Sequence, residues 1–140
     1  MSSTIVESTA ESQFRGAVDQ IPSRVNVAKW IAPAQYELER EKIFRRAWFP
    51  IGHTQDLPMK GSYFVYEVPT FKMSLLVVRG QDDKVRVFHN ICGHRGNKLV
   101  RDGAGQRAGF SCNFHGWSYT TEGALRVVTD EKEFDITDRS

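Results

Sequence analysis

The chain has 140 residues, 40% of them hydrophobic and 26% charged, with a net charge of +2. That length has room for one domain of globular composition, and so small a net charge argues against nucleic-acid and membrane partners. The first ten residues carry neither a basic n-region nor an apolar core, so no signal peptide or membrane anchor is expected, and two cysteines are too few for a disulfide scaffold, as in a cytoplasmic protein.

Residues 1–29 are polar and weakly periodic, broken by Gly16 and Pro22, and read as an N-terminal arm. Over residues 30–49 the pattern becomes that of an amphipathic α-helix. Pro33 suits a first helical turn, and Tyr36, Arg40, Ile43, Phe44, Ala47 and Trp48 recur at spacings of three and four. Glu37, Glu39, Glu41, Arg45 and Arg46 fall mainly on the wet side, where their charges suit a solvated face better than a binding patch. Pro50 stops the helix, and Trp48 and Phe49 are expected to pack into a core rather than line a cofactor site.

From Ile51 the period falls to two. Ser62 to Val68 and Phe71 to Arg79 read as strands joined by Pro69-Thr70, and Gly80 to Asp83 turns the second into Lys84 to Phe88. Further short strands are expected at Leu99 to Arg101, Ala108 to Ser111, Trp117 to Thr120 and Leu125 to Val128. The turns between them are Asp102 to Gly105 and Thr121 to Gly123. Short antiparallel strands at this density predict a mainly β fold, a small sandwich or barrel. His53 and His89 lie near strand ends and are read as structural histidines.

Chemistry concentrates in one stretch, Asn-Ile-Cys92-Gly-His94-Arg-Gly and then Ser-Cys112-Asn-Phe-His115-Gly-Trp-Ser-Tyr119. It holds both cysteines and two of the four histidines, as Cys-x-His, seventeen residues, Cys-x-x-His. Two loops of this kind, brought together at the ends of hairpins, offer two sulfurs and two nitrogens. A Cys92–Cys112 disulfide is one reading, disfavoured in a reducing compartment. A structural zinc site is a second, although zinc loops usually supply like ligands in pairs. A third is a two-iron cluster of the Rieske type, in which two histidines replace two cysteines on one iron. The alternation suits that division, with Cys92 and Cys112 on one iron and His94 and His115 on the other.

The pair Cys-x-His-Arg-Gly and Cys-x-x-His-Gly-Trp-x-Tyr resembles the Rieske motif of the ring-hydroxylating non-haem iron oxygenases, in their alpha (large) subunit. The likeness extends upstream, because Glu41 to His53 resembles the helix and first strand that precede the cluster domain there. The resemblance implies a Rieske domain over residues 50–140, lacking its last strands, with one [2Fe–2S] cluster on Cys92, His94, Cys112 and His115. It places Arg95, Gly96, Gly116, Trp117 and Tyr119 beside the cluster. Gly93, Gly96 and Gly116 are expected to give close approach and positive φ, so that backbone N–H groups reach the sulfurs.

A neutral core of two ferric ions, two sulfides and two thiolates takes an electron more readily than a four-thiolate one, which is two charges more negative. Rieske potentials are accordingly raised, to about −150 to +300 mV against about −400 mV for plant-type ferredoxins. Respiratory Rieske proteins, as the resemblance has it, carry two further cysteines and a serine where this chain has Asn97, Phe114 and Trp117. With fewer hydrogen bonds to sulfur, the low half of that range is expected, although Tyr119 keeps one donor.

In such oxygenases a reductase or ferredoxin supplies electrons. A larger catalytic domain, absent from these residues, holds a mononuclear iron on two histidines and a carboxylate and adds oxygen to an aromatic or similar small substrate. The resemblance thus implies an electron-entry domain that does not oxygenate alone. It also implies a carboxylate of the adjacent subunit's catalytic domain as neighbour of the cluster histidines, and a ring-shaped homo-oligomer for a full-length protein. The alternatives are a free-standing Rieske ferredoxin and a zinc-stabilised interaction module.

Overall fold

The computed structural model describes residues 27–139. The expected arm lies outside the described residues except for its last three. The chain divides into two compact units, meeting between Ala47 and Trp48, the first described from Val27 onward.

In the first unit, α1 spans Pro33–Glu39 and continues into a π-helical turn, Arg40–Phe44. Proline opens it as expected, its missing N–H falling where no helical acceptor is needed. The helix is much shorter than residues 30–49, and none of its residues is buried. Its acidic and basic side chains pair along the surface, Arg40 with Glu37 at 2.7 Å and Arg45 with Glu41 at 2.9 Å. Pairs this exposed contribute only about 0.3–0.5 kcal/mol each. The helical run ends at Phe44, so the three-and-four spacing read across Ile43 to Trp48 does not continue one stripe.

The second unit carries seven strands in two antiparallel sheets. The first sheet contains β1 (Ser62–Val68), β2 (Met73–Arg79), β3 (Val85–His89) and β4 (Ala104–Gln106), in the order β3-β2-β1-β4. The second contains β5 (Gly109–Ser111), β6 (Ser118–Thr120) and β7 (Leu125–Val127), in the order β5-β6-β7. This is the mainly β architecture that the alternation predicts. β2 is central, and its run Leu76, Val77, Val78 is buried on both faces, with Val78 fully enclosed. Tyr63 of β1 meets Phe110 of β5 edge-on at 5.3 Å, joining the two sheets. Leu76, Val78, Leu99, Val100 and Val128 complete a core that also includes Cys92, Cys112 and Trp117.

Several local expectations change. Trp48 is 99% exposed and Phe49 about half exposed, so neither fills the core. No strand forms over residues 48–53. There His53 instead caps a short 3-10 turn: its Nδ1 accepts from Gln55 N–H, while Asp56 accepts from the His53 N–H. Leu99 to Arg101 is not a strand either, and β4, at Ala104–Gln106, overlaps the end of the expected turn. The reason is Asn90, fully buried, whose amide donates to Val100 O at 2.6 Å and whose carbonyl accepts from Val100 N–H at 2.9 Å. A side chain has taken the place of the neighbouring strand, so Leu99 and Val100 are buried without a ladder.

Candidate metal centre

Both Cys/His loops leave the sheets at defined strand ends. The second is a hairpin loop between β5 and β6, as expected. The first, between β3 and β4, is a crossover: those strands occupy opposite edges of their sheet, so the connection spans two strands.

The loops repeat one turn. In the first, Cys92 N–H donates to Asn97 O at 2.7 Å, and Gly96 N–H donates to Cys92 O at 2.8 Å. In the second, Cys112 N–H donates to Trp117 O at 2.8 Å, and Gly116 N–H donates to Cys112 O at 3.0 Å. Gly96 and Gly116 occupy the same place in each turn, with φ of +70° and +75°, a region costly for any residue with a Cβ. Gly93 does not share this property. Nor is it needed for close approach: its N–H donates to the Tyr119 hydroxyl at 2.9 Å, and a Cβ there would meet that hydroxyl at an ordinary 3.5 Å.

The sulfur side is dry. Cys92 and Cys112 are free thiols, 1% and 4% exposed, which removes the disulfide reading. The Tyr119 hydroxyl lies 3.3 Å from the Cys92 sulfur, and the Asn97 amide donates to the Cys112 sulfur at 3.6 Å. Burial pushes the Cys112 thiol up, but the backbone N–H groups of Phe114 and His115, with Asn97 and Cys92, outweigh it and hold the thiol below its ordinary value. Those backbone donors are what two flanking glycine turns were expected to supply. Tyr119 is pushed up to about 12, by burial first and then by Cys92 beside it.

The nitrogen side is half-buried. The rings of His94 and His115 sit edge-on with centroids 4.6 Å apart. Burial lowers the His94 pKa, and His115 and Arg95 lower it further, so the imidazole is kept neutral, the form that binds metal. Arg95 is exposed and thus acts through its charge as well as meeting solvent. His115 Nδ1 and the Trp117 indole N–H are buried without a hydrogen-bond partner. A buried imidazole nitrogen calls for a partner, and a metal ion is one it can take. Thr129 fixes the backbone beneath it, donating to His115 O at 2.6 Å.

Among the described residues, no group of three or more His, Cys, Asp or Glu side chains is placed to hold a single metal ion. The four candidates come together as a buried sulfur pair and a half-buried imidazole pair. Two thiols and two imidazoles in separate pairs are the donor set that a two-iron cluster with mixed ligation takes. His53 is the cap of a turn and His89 faces solvent at the end of β3, so neither joins the group.

Two contributors lacked a sequence signal. Asn97 rules out the respiratory-type disulfide by its residue type, and its amide donates to the Cys112 sulfur instead. Phe134, nineteen residues beyond His115, packs edge-on against both His94 at 5.3 Å and Trp117 at 5.1 Å.

Comparison with known proteins agrees with this geometry. The Rieske [2Fe-2S] domain family matches residues 47–137. The chain is 36% identical over 123 residues to the biphenyl dioxygenase subunit alpha of Metapseudomonas furukawaii, covering 86% of this chain and 26% of that protein. It is 32% identical to the glycine betaine monooxygenase oxygenase subunit of Chromohalobacter salexigens, covering 74% and 23%. Among solved structures, naphthalene 1,2-dioxygenase from Rhodococcus sp. bound to indole aligns with a TM-score of 0.71 and 29% identity over 90% of this chain and 29% of that one. The chain spans about a quarter of the length of the curated relatives it matches. No helix among the described residues is long and apolar enough to cross a membrane. The cofactor of this family is a Rieske [2Fe–2S] cluster, and the chain belongs to the Rieske [2Fe-2S] domain family.

Proposed function

We propose that Cys92 and Cys112 bind one iron of the cluster and His94 and His115 the other, and that the domain is the electron-entry point of an aromatic-ring-hydroxylating oxygenase. The observation that carries this reading is the orphaned His115 Nδ1, buried beside His94 and opposite a dry sulfur pair. When bound, the cluster supplies a reversible one-electron store whose potential follows its charge and its hydrogen bonds.

The residues around it divide the work by polarity. Tyr119, Asn97 and the backbone N–H groups of Phe114 and His115 face sulfur, where added negative charge concentrates. Leu99, Val100, Phe110 and Val128 exclude water from that side. His94 and His115 are half-exposed, so each ring can bind iron through one nitrogen and present the other to a neighbour.

The donor in this reading is a reductase or ferredoxin. The acceptor is the mononuclear iron of a catalytic domain, reached through a carboxylate of an adjacent subunit in a ring-shaped oligomer. Oxygen activation is assigned to that iron, so the 140 residues relay electrons and do not oxygenate substrate by themselves. Two free buried thiols suit a reducing, cytoplasmic setting. The names of the more similar relatives support the aromatic class, with biphenyl, benzene and chlorobenzene, whereas the 32% identical relative is named for glycine betaine.

Metal and sulfide analysis tests the proposal. Iron and acid-labile sulfide in equal amounts, with uptake of one electron per chain on dithionite titration, are expected. Zinc without sulfide would contradict it and favour the interaction-module reading.

A further inference from the structure

We infer that Phe134 is a positioning residue for the imidazole of His94, and that with Trp117 it forms an aromatic clamp that sets the angle of this ring but not that of His115. The inference rests on the assignment of both histidines as cluster ligands.

The two imidazoles have different surroundings. His94 lies flat on the indole of Trp117, with centroids 5.0 Å apart and planes 13° from parallel. Phe134 closes on it edge-on at 5.3 Å, its plane 83° from that of the imidazole. Phe134 also meets Trp117 edge-on at 5.1 Å, so the three rings brace one another. His115 touches neither clamp ring in this way. Its aromatic neighbours are His94 and Phe114, and Phe114 is 63% exposed. The three centroids form a nearly equilateral triangle, so one imidazole is held in a cluster with an indole of the core and a second aromatic, while the other leans on a side chain open to solvent.

Phe134 comes from a segment that returns to the domain on its own fastenings. After β7 the chain makes a short 3-10 turn, Glu131–Glu133, whose cap residue Asp130 takes a left-handed φ of 54°. The segment is then tied back where Leu125 N–H donates to Arg139 O at 2.8 Å, and Arg139 pairs with Glu131. Phe134 and Ile136 pack from this strap onto the core. An edge-to-face pair is directional, favouring one relative angle of the two rings, whereas aliphatic packing fixes no such angle. A phenyl edge at this place thus specifies the tilt of His94 about its bond to Cβ, and with it the overlap of its nitrogen with the metal.

The test compares Phe134→Leu and Phe134→Tyr in the protein purified with its iron and sulfide. Leucine fills the apolar site without a ring, and tyrosine keeps the ring. The readout is the pair of imidazole nitrogen hyperfine couplings in pulsed EPR of the reduced protein, with iron and sulfide content measured alongside. The expected result is a shift in one coupling of F134L with the other unchanged, and a wild-type pair in F134Y. Loss of the cluster from F134L but not from F134Y supports the inference equally, since only the ring differs. A wild-type pattern in F134L, an equal shift of both couplings, or loss of the cluster from both variants would overturn it. If the wild-type protein itself shows no pair of imidazole couplings, the ligand assignment fails, which is a separate result from a clamp that does nothing.

Discussion

The Tyr119 hydroxyl sits 3.3 Å from the Cys92 sulfur while accepting the Gly93 N–H at 2.9 Å. With its lone pair engaged by Gly93, the hydroxyl has its own proton free for the sulfur. A donor aimed at sulfur stabilises the more negative, reduced state. Tyr119→Phe should therefore lower the midpoint potential. A net bond of about 0.5–1.5 kcal/mol corresponds to roughly 20–60 mV for one electron. Asn97 donates to Cys112 from 3.6 Å, a longer and weaker contact, so Asn97→Leu should lower the potential by less. Protein-film voltammetry of the two variants gives the order directly, and a larger drop for Asn97→Leu would reverse the ranking of these donors.

The same tyrosine makes stability depend on alkaline pH. Its pKa rises from 10.0 to about 12 on folding, so between those values the folded state holds a proton that the unfolded state has lost. That contribution is complete below about pH 10 and disappears as pH rises through about 12. The stability difference between wild type and Tyr119→Phe should be constant up to about pH 10 and shrink above it. Urea unfolding across that range measures it, and a constant difference throughout would contradict the assignment.

Asn90 holds the first loop from within the core. Replacing it by alanine leaves the Val100 N–H and C=O buried without partners. The expected cost is about 2–4 kcal/mol. His89→Ala, one residue earlier and solvent-facing at the strand end, should change stability by less than about 0.5 kcal/mol. Denaturant midpoints of the two variants separate a structural asparagine from a residue that only adjoins the motif.

His115→Cys exchanges a neutral ligand for a negative one. Where the cluster is retained, its potential should fall from the Rieske range toward about −400 mV. Redox titration followed by visible absorbance checks this, and an unchanged or higher midpoint would contradict the charge argument.

Much of this site could be read in the chain itself. The Cys and His candidates stand out because a two-iron cluster between two loops, as proposed, would dictate both residue type and spacing. β1 matches Ser62–Val68 because alternation ends sharply at Pro69, which cannot continue a ladder. Other elements depend on partners distant in sequence. Leu99 to Arg101 has the composition of a strand, but the side chain of Asn90 satisfies its backbone instead. The helical run ends with the π turn at Arg40–Phe44, where composition alone would continue the period to Trp48. Phe134 had no signal, because its place against His94 is set by a strap closing at Arg139, and nothing near residue 134 indicates that return.

The central claim is mixed ligation, sulfur on one iron and imidazole on the other. Continuous-wave EPR of the dithionite-reduced protein addresses it most directly. The account predicts a rhombic signal whose average g lies below that of an all-thiolate [2Fe–2S] cluster, as a localised ferrous ion with nitrogen ligands requires. A silent spectrum from protein rich in zinc, or the higher average g of an all-thiolate cluster, would contradict it.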